Sequence, residues 1–192
     1  IAAKRYIVHS DVYDEVRDMF VSAFRDLRVG DPMQPDTDIG PLIDEASRKE
    51  LVQQVETAKE HGANCLIGAR AIDGEGFYFE PGILENVSPD SPSYYEEFFG
   101  PVACLFKVES LDQAIKLAND SPFGLSSAVF TNDLNEQRLA ARDIQAGATF
   151  FNTFSKSDPR IPFGGIKKSG FGRELGAEGI RTFCNLKAVV FE

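Results

Sequence analysis

The 192-residue chain predicts an α/β fold, a mainly parallel sheet with flanking helices, closed by a C-terminal strand suited to oligomerisation. Three observations predict it. Apolar residues make up 43% of the chain, enough for a packed core, with no run near the roughly 20 residues that cross a membrane. Short β-branched and aromatic runs alternate with segments whose apolar residues recur at helical spacing. Strand–helix–strand alternation of this length implies right-handed crossovers and parallel neighbours. No repeat, low-complexity tract or linker breaks the pattern, so one domain over residues 1–192 is expected.

Residues 4–9 read as a strand rich in β-formers. Ser10 and Asp11 are N-cap types, and Val12, Val16, Phe20, Ala23 and Phe24 follow at helical spacing. A turn-rich stretch runs from Gly30 to Leu42. A second helix spans 44–61, with Leu51, Val52, Val55 and Ala58 on one face and Gly62 at the left-handed position beyond its end. Strands are expected at Asn64–Ile67, 77–79 and Val102–Val108. Ser110 and Gln113 form a capping box for a helix with Leu111, Ala114, Ile115 and Ala118 inside. A strand at 126–130, a helix at 133–146 closed by Gly147, and a strand at Ala148–Phe151 come next. Residues 152–176 read as a glycine-rich loop. The final strand, 185–191, has no helix after it and is expected to pair elsewhere, including with another subunit.

The formal net charge of −10 argues against nucleic-acid or anionic-membrane partners, which call for basic surface. Cys65, Cys104 and Cys184 are odd in number and widely spaced, forming neither a disulfide framework nor a zinc pattern. Reduced thiols and a cytoplasmic location are the expectation. Residues 1–5 show no secretory signal and no initiator Met, as expected of a fragment.

Four stretches then stand in order and spacing: Ala3-Lys4-Arg5 with its strand; Gly30-Asp31-Pro32 followed by Gly40-Pro41-Leu42-Ile43; Glu96-Glu97-Phe98-Phe99-Gly100-Pro101-Val102; and Pro162-Phe163-Gly164-Gly165 through Gly172-Arg173-Glu174. Together with Asn119 to Leu125 they resemble the catalytic domain of the NAD(P)-dependent aldehyde dehydrogenase superfamily, over essentially the whole chain. The run Ser157-Asp158-Pro159-Arg160 ahead of Pro162-Phe163-Gly164-Gly165 is most similar to succinate-semialdehyde dehydrogenases.

The resemblance implies oxidation of a small-molecule aldehyde to a carboxylate, with NAD or NADP as cofactor, in a homo-oligomer (dimer or tetramer). A cysteine thiolate attacks the aldehyde, hydride passes to the nicotinamide, and water hydrolyses the thioester with a glutamate as base. The cysteine would immediately precede Ile1. The glutamate base and the cofactor-binding domain would also lie upstream, so no catalytic residue is assigned within this chain. The alternative is a free-standing truncated, non-catalytic assembly module. One departure stands out: Pro81 is followed by Gly82 where the family usually has threonine.

By this resemblance, Glu97 accepts hydrogen bonds from the nicotinamide ribose. Its other reading is a solvated acid like Glu96. Phe99 would pack beside that ribose, or else serve as a core aromatic. Ser157 would hold a substrate's distal carboxylate, with or without a basic group, and Phe163 would form an apolar wall. The plainer reading of Ser157, Asp158 and Pro159 is a turn, and of Arg160 a surface charge. Gly170 and Gly172 are a decoy for a dinucleotide fingerprint, because no βαβ unit opens there. Cys65 and Cys104 read as buried inert thiols and Cys184 as structural; His9 and His61 have no partner pattern, and no metal is expected.

Overall fold

In the computed structural model, which describes residues 3–192, the chain opens with strand β1 (Tyr6–His9) and helix α1 (Ser10–Arg25). Helix α2 (Glu45–Glu60) follows, then β2 (Asn64–Ile67), β3 (Arg70–Ala71), β4 (Phe79–Glu80) and β5 (Gly82–Glu85). A 3₁₀ turn at Pro92–Tyr94 leads into β6 (Val102–Val108). These elements make one compact unit that ends at Ser110. Its sheet has the order β1-β6-β5-β2, with β6 parallel to both neighbours and β2 antiparallel at the edge. Tyr6 stands opposite Leu105, and Gly82 opposite Val102. Tyr13, Ile83, Ala103 and Leu105 form the core between α1 and the sheet, with Phe20 and Phe24 packed against it.

Two helix starts show how local chemistry sets the boundaries. The cap of α1 is His9, one residue before the expected Ser10: the chain is still extended there, and its Nδ1 accepts from the Asp11 N–H at 3.3 Å. Ser10 is already helical, and its hydroxyl donates to Glu109 at 2.5 Å. Helix α2 starts on Asp44, whose carboxylate accepts from the Ser47 N–H at 2.8 Å, and it ends at His61 with Gly62 at φ +94°, as expected.

Strand β5 was not among the strands expected from the sequence; it opens with Gly82 directly after Pro81. It is the buried centre of the sheet, entered by a hydrogen bond from the Gly82 N–H to the Pro101 carbonyl at 2.9 Å. The strand expected at 77–79 sits instead at Phe79–Glu80, paired with β3.

The second unit, Leu111–Glu192, holds α3 (Leu111–Asn119), β7 (Phe123–Gly124), β8 (Ser126–Val129), α4 (Leu134–Asp143), β9 (Ala148–Phe151), β10 (Ile166–Lys167) and α5 (Gly176–Thr182). Strands β8 and β9 are parallel and joined through α4, while β7 and β10 pair antiparallel. The expected inner face of α3 is half-buried, with no residue fully enclosed. Helix α4 ends three residues before the expected limit because Asn119 takes over its end. The Asn119 amide donates to the Asp143 carbonyl at 2.8 Å and accepts from the Gln145 N–H at 2.7 Å. Gly147 therefore does not close the helix; a Cβ there would overlap the Gly164 carbonyl. The stretch read as pure loop contains β10 and the start of α5.

The expected last strand is not formed within this chain. Residues 185–192 run without ladder bonds, and Leu186, Val190 and Phe191 are exposed. A strand exists only against a partner backbone, and the described residues offer none to this segment.

Gly100 tests the packing between α2 and the segment that feeds β6. A Cβ at Gly100 would overlap Leu51 Cδ2, and Leu51 is only 1% exposed. Gly100→Ala should cost about 1–3 kcal/mol in urea unfolding, whereas Gly40→Ala, whose Cβ meets Pro32 at an ordinary 3.6 Å, should be nearly neutral. Equal effects at the two positions would remove the packing account.

Candidate functional site

Parallel pairing of β1 with β6 brings the residues just ahead of both strands to the same end of the sheet. Lys4 and Arg5 precede β1; residues 95–101 precede β6. The Arg5 guanidinium donates to the Tyr94 carbonyl at 2.8 Å and lies 4.2 Å from the centre of the Tyr94 ring. Phe106, on β6, meets Tyr94 edge-on at 5.9 Å. A cation over an aromatic face, partly removed from water, is a firm anchor. It pins the 3₁₀ turn to the start of β1.

In the following loop Tyr95, Glu96 and Glu97 are exposed before the chain turns inward. Phe98 is buried, whereas Phe99 is 79% exposed. The core aromatic is therefore Phe98, and Phe99 presents its ring outward. Glu97 is exposed, but its carbonyl accepts from the Gln54 side chain at 3.2 Å. The Gly100 N–H to Phe98 carbonyl bond at 2.9 Å and the Val102 N–H to Gly100 carbonyl bond at 2.8 Å fix the descent into β6.

Lys4 is the perturbed group at this end. Burial, then the neighbouring Arg5, pushes its ammonium down to about 8; Cys104, Glu97 and Glu96 act in the opposite direction. Burial pushes the Cys104 thiol up to about 12, against the pull of Lys4 and Arg5. Cys65 and Cys184, expected buried and structural, are both exposed: β2 is an edge strand, and Cys184 follows α5 outside any ladder.

Ser157 and Phe163 belong to the second unit. Asp158 closes a tight turn beside Ser157: it accepts from the Arg160 backbone N–H at 3.0 Å and from the Arg160 guanidinium at 2.9 and 2.6 Å. Those bonds hold its carboxyl well below the usual carboxylate range. Arg160 is exposed as expected, but its charge is engaged by Asp158. The Gly176 N–H donates to the Pro159 carbonyl at 3.1 Å, tying the turn to the start of α5. Phe163 is half-buried and exchanges backbone bonds with Glu174 at 2.7 and 2.8 Å. Gly170 and Gly172 take φ of +112° and +81° in a turn beyond the antiparallel β10, so they open no βαβ unit.

The sequence did not show which residues hold the first loop. Gln54 had one signal: it lies within the stripe Leu51, Val55, Ala58 on a face otherwise apolar. Arg5 stood in the motif Ala3-Lys4-Arg5, but its partners gave no local signal, because they come from 89 and 101 residues further along.

The model of the aldehyde dehydrogenase family matches residues 1–189. The chain belongs to the aldehyde dehydrogenase family. It is 49% identical over 189 residues to succinate-semialdehyde dehydrogenase [NADP(+)] 1 of Mycobacterium tuberculosis, covering 98% of this chain and 41% of that protein. A probable succinate-semialdehyde dehydrogenase [NADP(+)] of Synechocystis is 50% identical over the same length, with 42% of it covered. The chain thus spans about two fifths of the curated relatives it matches. Among solved structures, succinic semialdehyde dehydrogenase of Streptococcus pyogenes in complex with NADP+ aligns with a TM-score of 0.90 at 38% identity, over 95% of this chain and 40% of that one. Betaine aldehyde dehydrogenase of Staphylococcus aureus in complex with NAD+ aligns with a TM-score of 0.88 at 32% identity, over 94% and 37%. The aldehyde dehydrogenase match runs through both units, and it includes the loop of Glu97 and the turn of Ser157.

The thiol environments give a direct check on this geometry. A thiol-reactive disulfide at about pH 8 should label Cys65 and Cys184 in the folded aldehyde dehydrogenase chain and leave Cys104 unlabelled until denaturant is added, because the thiolate is the reactive form. Labelling of Cys104 in the native state, read by peptide mass spectrometry, would contradict its burial.

Proposed function

We propose that this chain is part of the catalytic domain of an NAD(P)-dependent aldehyde dehydrogenase that oxidises succinate semialdehyde to the carboxylate. The observation that carries the reading is the loop at the amino ends of β1 and β6: an exposed carboxylate, Glu97, and an exposed ring, Phe99, on a backbone fixed from below. An acceptor-only carboxylate suits the paired hydroxyls of a ribose, and an exposed aromatic face suits the sugar and ring beside them. The nicotinamide, when bound, supplies the hydride acceptor. The relatives named for NADP and the neighbours solved with NADP+ and NAD+ support the same assignment.

The nucleophilic cysteine of the reading immediately precedes Ile1, so the segment 3–5 begins three residues after it. Arg5 then positions that segment against the same turn that leads to Glu97. The thiolate adds to the aldehyde carbon, the carbon loses hydride, and water releases the acid. Both units are read as parts of one catalytic domain, with the cofactor-binding domain elsewhere in the protein.

Ser157 is read as a donor to the distal carboxylate of the substrate, with Phe163 as an apolar wall. The Asp158–Arg160 pair fixes the turn that presents the Ser157 hydroxyl. Arg160, already engaged, is not assigned to the substrate. The exposed apolar residues of 185–192 are read as the edge that pairs with a second subunit in a symmetric dimer.

Two substitutions in the intact enzyme test these roles. Glu97→Gln should raise the Kd for NADP+ by about five- to tenfold, the loss of charge-assisted acceptors. An unchanged Kd would remove Glu97 from the ribose. Ser157→Ala should lower kcat/KM for succinate semialdehyde by about tenfold while changing an uncharged aldehyde of equal length less than about twofold. Equal losses would reduce Ser157 to a turn residue.

A further inference from the structure

We propose that Gln54, on the buried face of α2, is a positioning residue for Glu97, acting through the hydrogen bond from its side-chain amide to the Glu97 carbonyl oxygen. The inference rests on the assignment of Glu97 to the coenzyme ribose.

Gln54 is only 8% exposed and sits between Leu51 and Val55 on the face that α2 buries. An uncharged amide there costs free energy unless it is hydrogen-bonded. Its Nε2 lies 3.2 Å from the Glu97 carbonyl oxygen. A carbonyl only accepts, so the nitrogen must be the atom that faces it. The backbone carbonyl of the same residue accepts from the Ser93 hydroxyl at 2.8 Å, and Ser93 is itself buried. One helical residue therefore grips the chain at positions 93 and 97, on either side of the exposed Tyr95 and Glu96.

The consequence lies in the direction of the Glu97 side chain. With its carbonyl drawn inward to Gln54, the 97–98 peptide is held in one orientation, which restricts where the Glu97 carboxylate points. Leu51, one turn earlier on α2, packs where a side chain at Gly100 would stand, so the same helix supports both ends of the 97–100 segment. Ordering a binding group before the ligand arrives removes an entropic cost from binding. A polar residue within an otherwise apolar helical stripe is where that ordering originates.

The test measures Kd for NADP+ in the intact enzyme with Gln54→Met, which keeps length and removes the donor, alone and combined with Glu97→Gln. Gln54→Met should weaken binding about fivefold in the parent and by less than about twofold once Glu97 is Gln, since coupled residues give non-additive cycles. The same factor in both backgrounds would mean a general structural effect and would overturn the proposal. No loss with Gln54→Met, while Glu97→Gln alone weakens binding, would overturn the positioning role and leave the ribose assignment standing. No loss with Glu97→Gln would overturn both. Gln54→Glu supplies an arm that does not depend on a tolerated Met: a neutral carboxyl can donate to the carbonyl and a carboxylate cannot. Its NADP+ affinity, taken relative to the parent at each pH so that the shared titration of Lys4 cancels, should therefore recover as pH falls from about 8 to about 5.5. A flat profile in Gln54→Glu would count against the hydrogen bond as the cause.

Discussion

Parallel pairing of β1 with β6 is the constraint on which the first unit depends. In a parallel pair both strands begin at the same end of the sheet, so whatever precedes them is brought together there. Lys4 and Arg5 precede one strand and Glu97 to Pro101 precede the other. Nearly a hundred residues separate them in sequence, yet register alone places them side by side. Strand β6 can do this because it is buried along almost its whole length and bonded on both edges. An apolar run of that kind has no stable alternative at a surface.

The same end of the sheet shows a division of labour between backbone and side chain. Buried groups hold the main chain: Arg5 on the Tyr94 carbonyl, Gln54 on the Glu97 carbonyl, Leu51 against Gly100. The exposed side chains, Glu97 and Phe99, contribute little to that hold and remain available to a ligand. The turn at Ser157 repeats the arrangement in the second unit. There the Asp158–Arg160 pair and the bond from Gly176 fix the backbone, and Ser157 is exposed. Exposed ion pairs add little to stability, so the pair's effect is on the shape of the turn.

How far the sequence could be read follows from the range of the interactions involved. The strands β1, β2, β6, β8 and β9 and helices α1 to α4 carry their own periodicity and were legible within a few residues. Strand β5 was not, because its Pro81-Gly82 entry mimics a turn and only the Pro101 carbonyl, far along the chain, makes it a strand. The end of α4 was misplaced for the same reason, since Asn119 supplies its cap from another helix. Glu97, Phe99, Ser157 and Phe163 were legible as motif residues. The holding roles of Arg5 and Gln54 were not, because an aromatic clamp and a buried amide bond leave no local pattern. The strand expected at 185–191 shows the complementary limit: β-propensity marks a segment that can pair, and a partner decides whether it does.

Lys4 connects these threads, because it is held at a thermodynamic cost. Its ammonium is pushed down to about 8 from the ordinary lysine value of 10.5 by burial and by Arg5. The sign of the linkage follows directly. Between those two values the unfolded chain keeps the proton that the folded chain releases, so folding grows more favourable as pH rises through this window. Below about 8 the folded protein carries the full cost of a partly buried charge. Glu97 and Glu96 reduce that cost without cancelling it. A lysine exposed to solvent would carry no such penalty, so its place here is not explained by stability. It is set by β1, which must start beside β6, and by the two glutamates that must lie ahead of β6. Groups strained in this way gather where charge is organised for a ligand. Lys4 thus shows that parallel pairing of β1 with β6 fixes a charge beside Arg5, and within the reach of Glu96 and Glu97, where burial disfavours it.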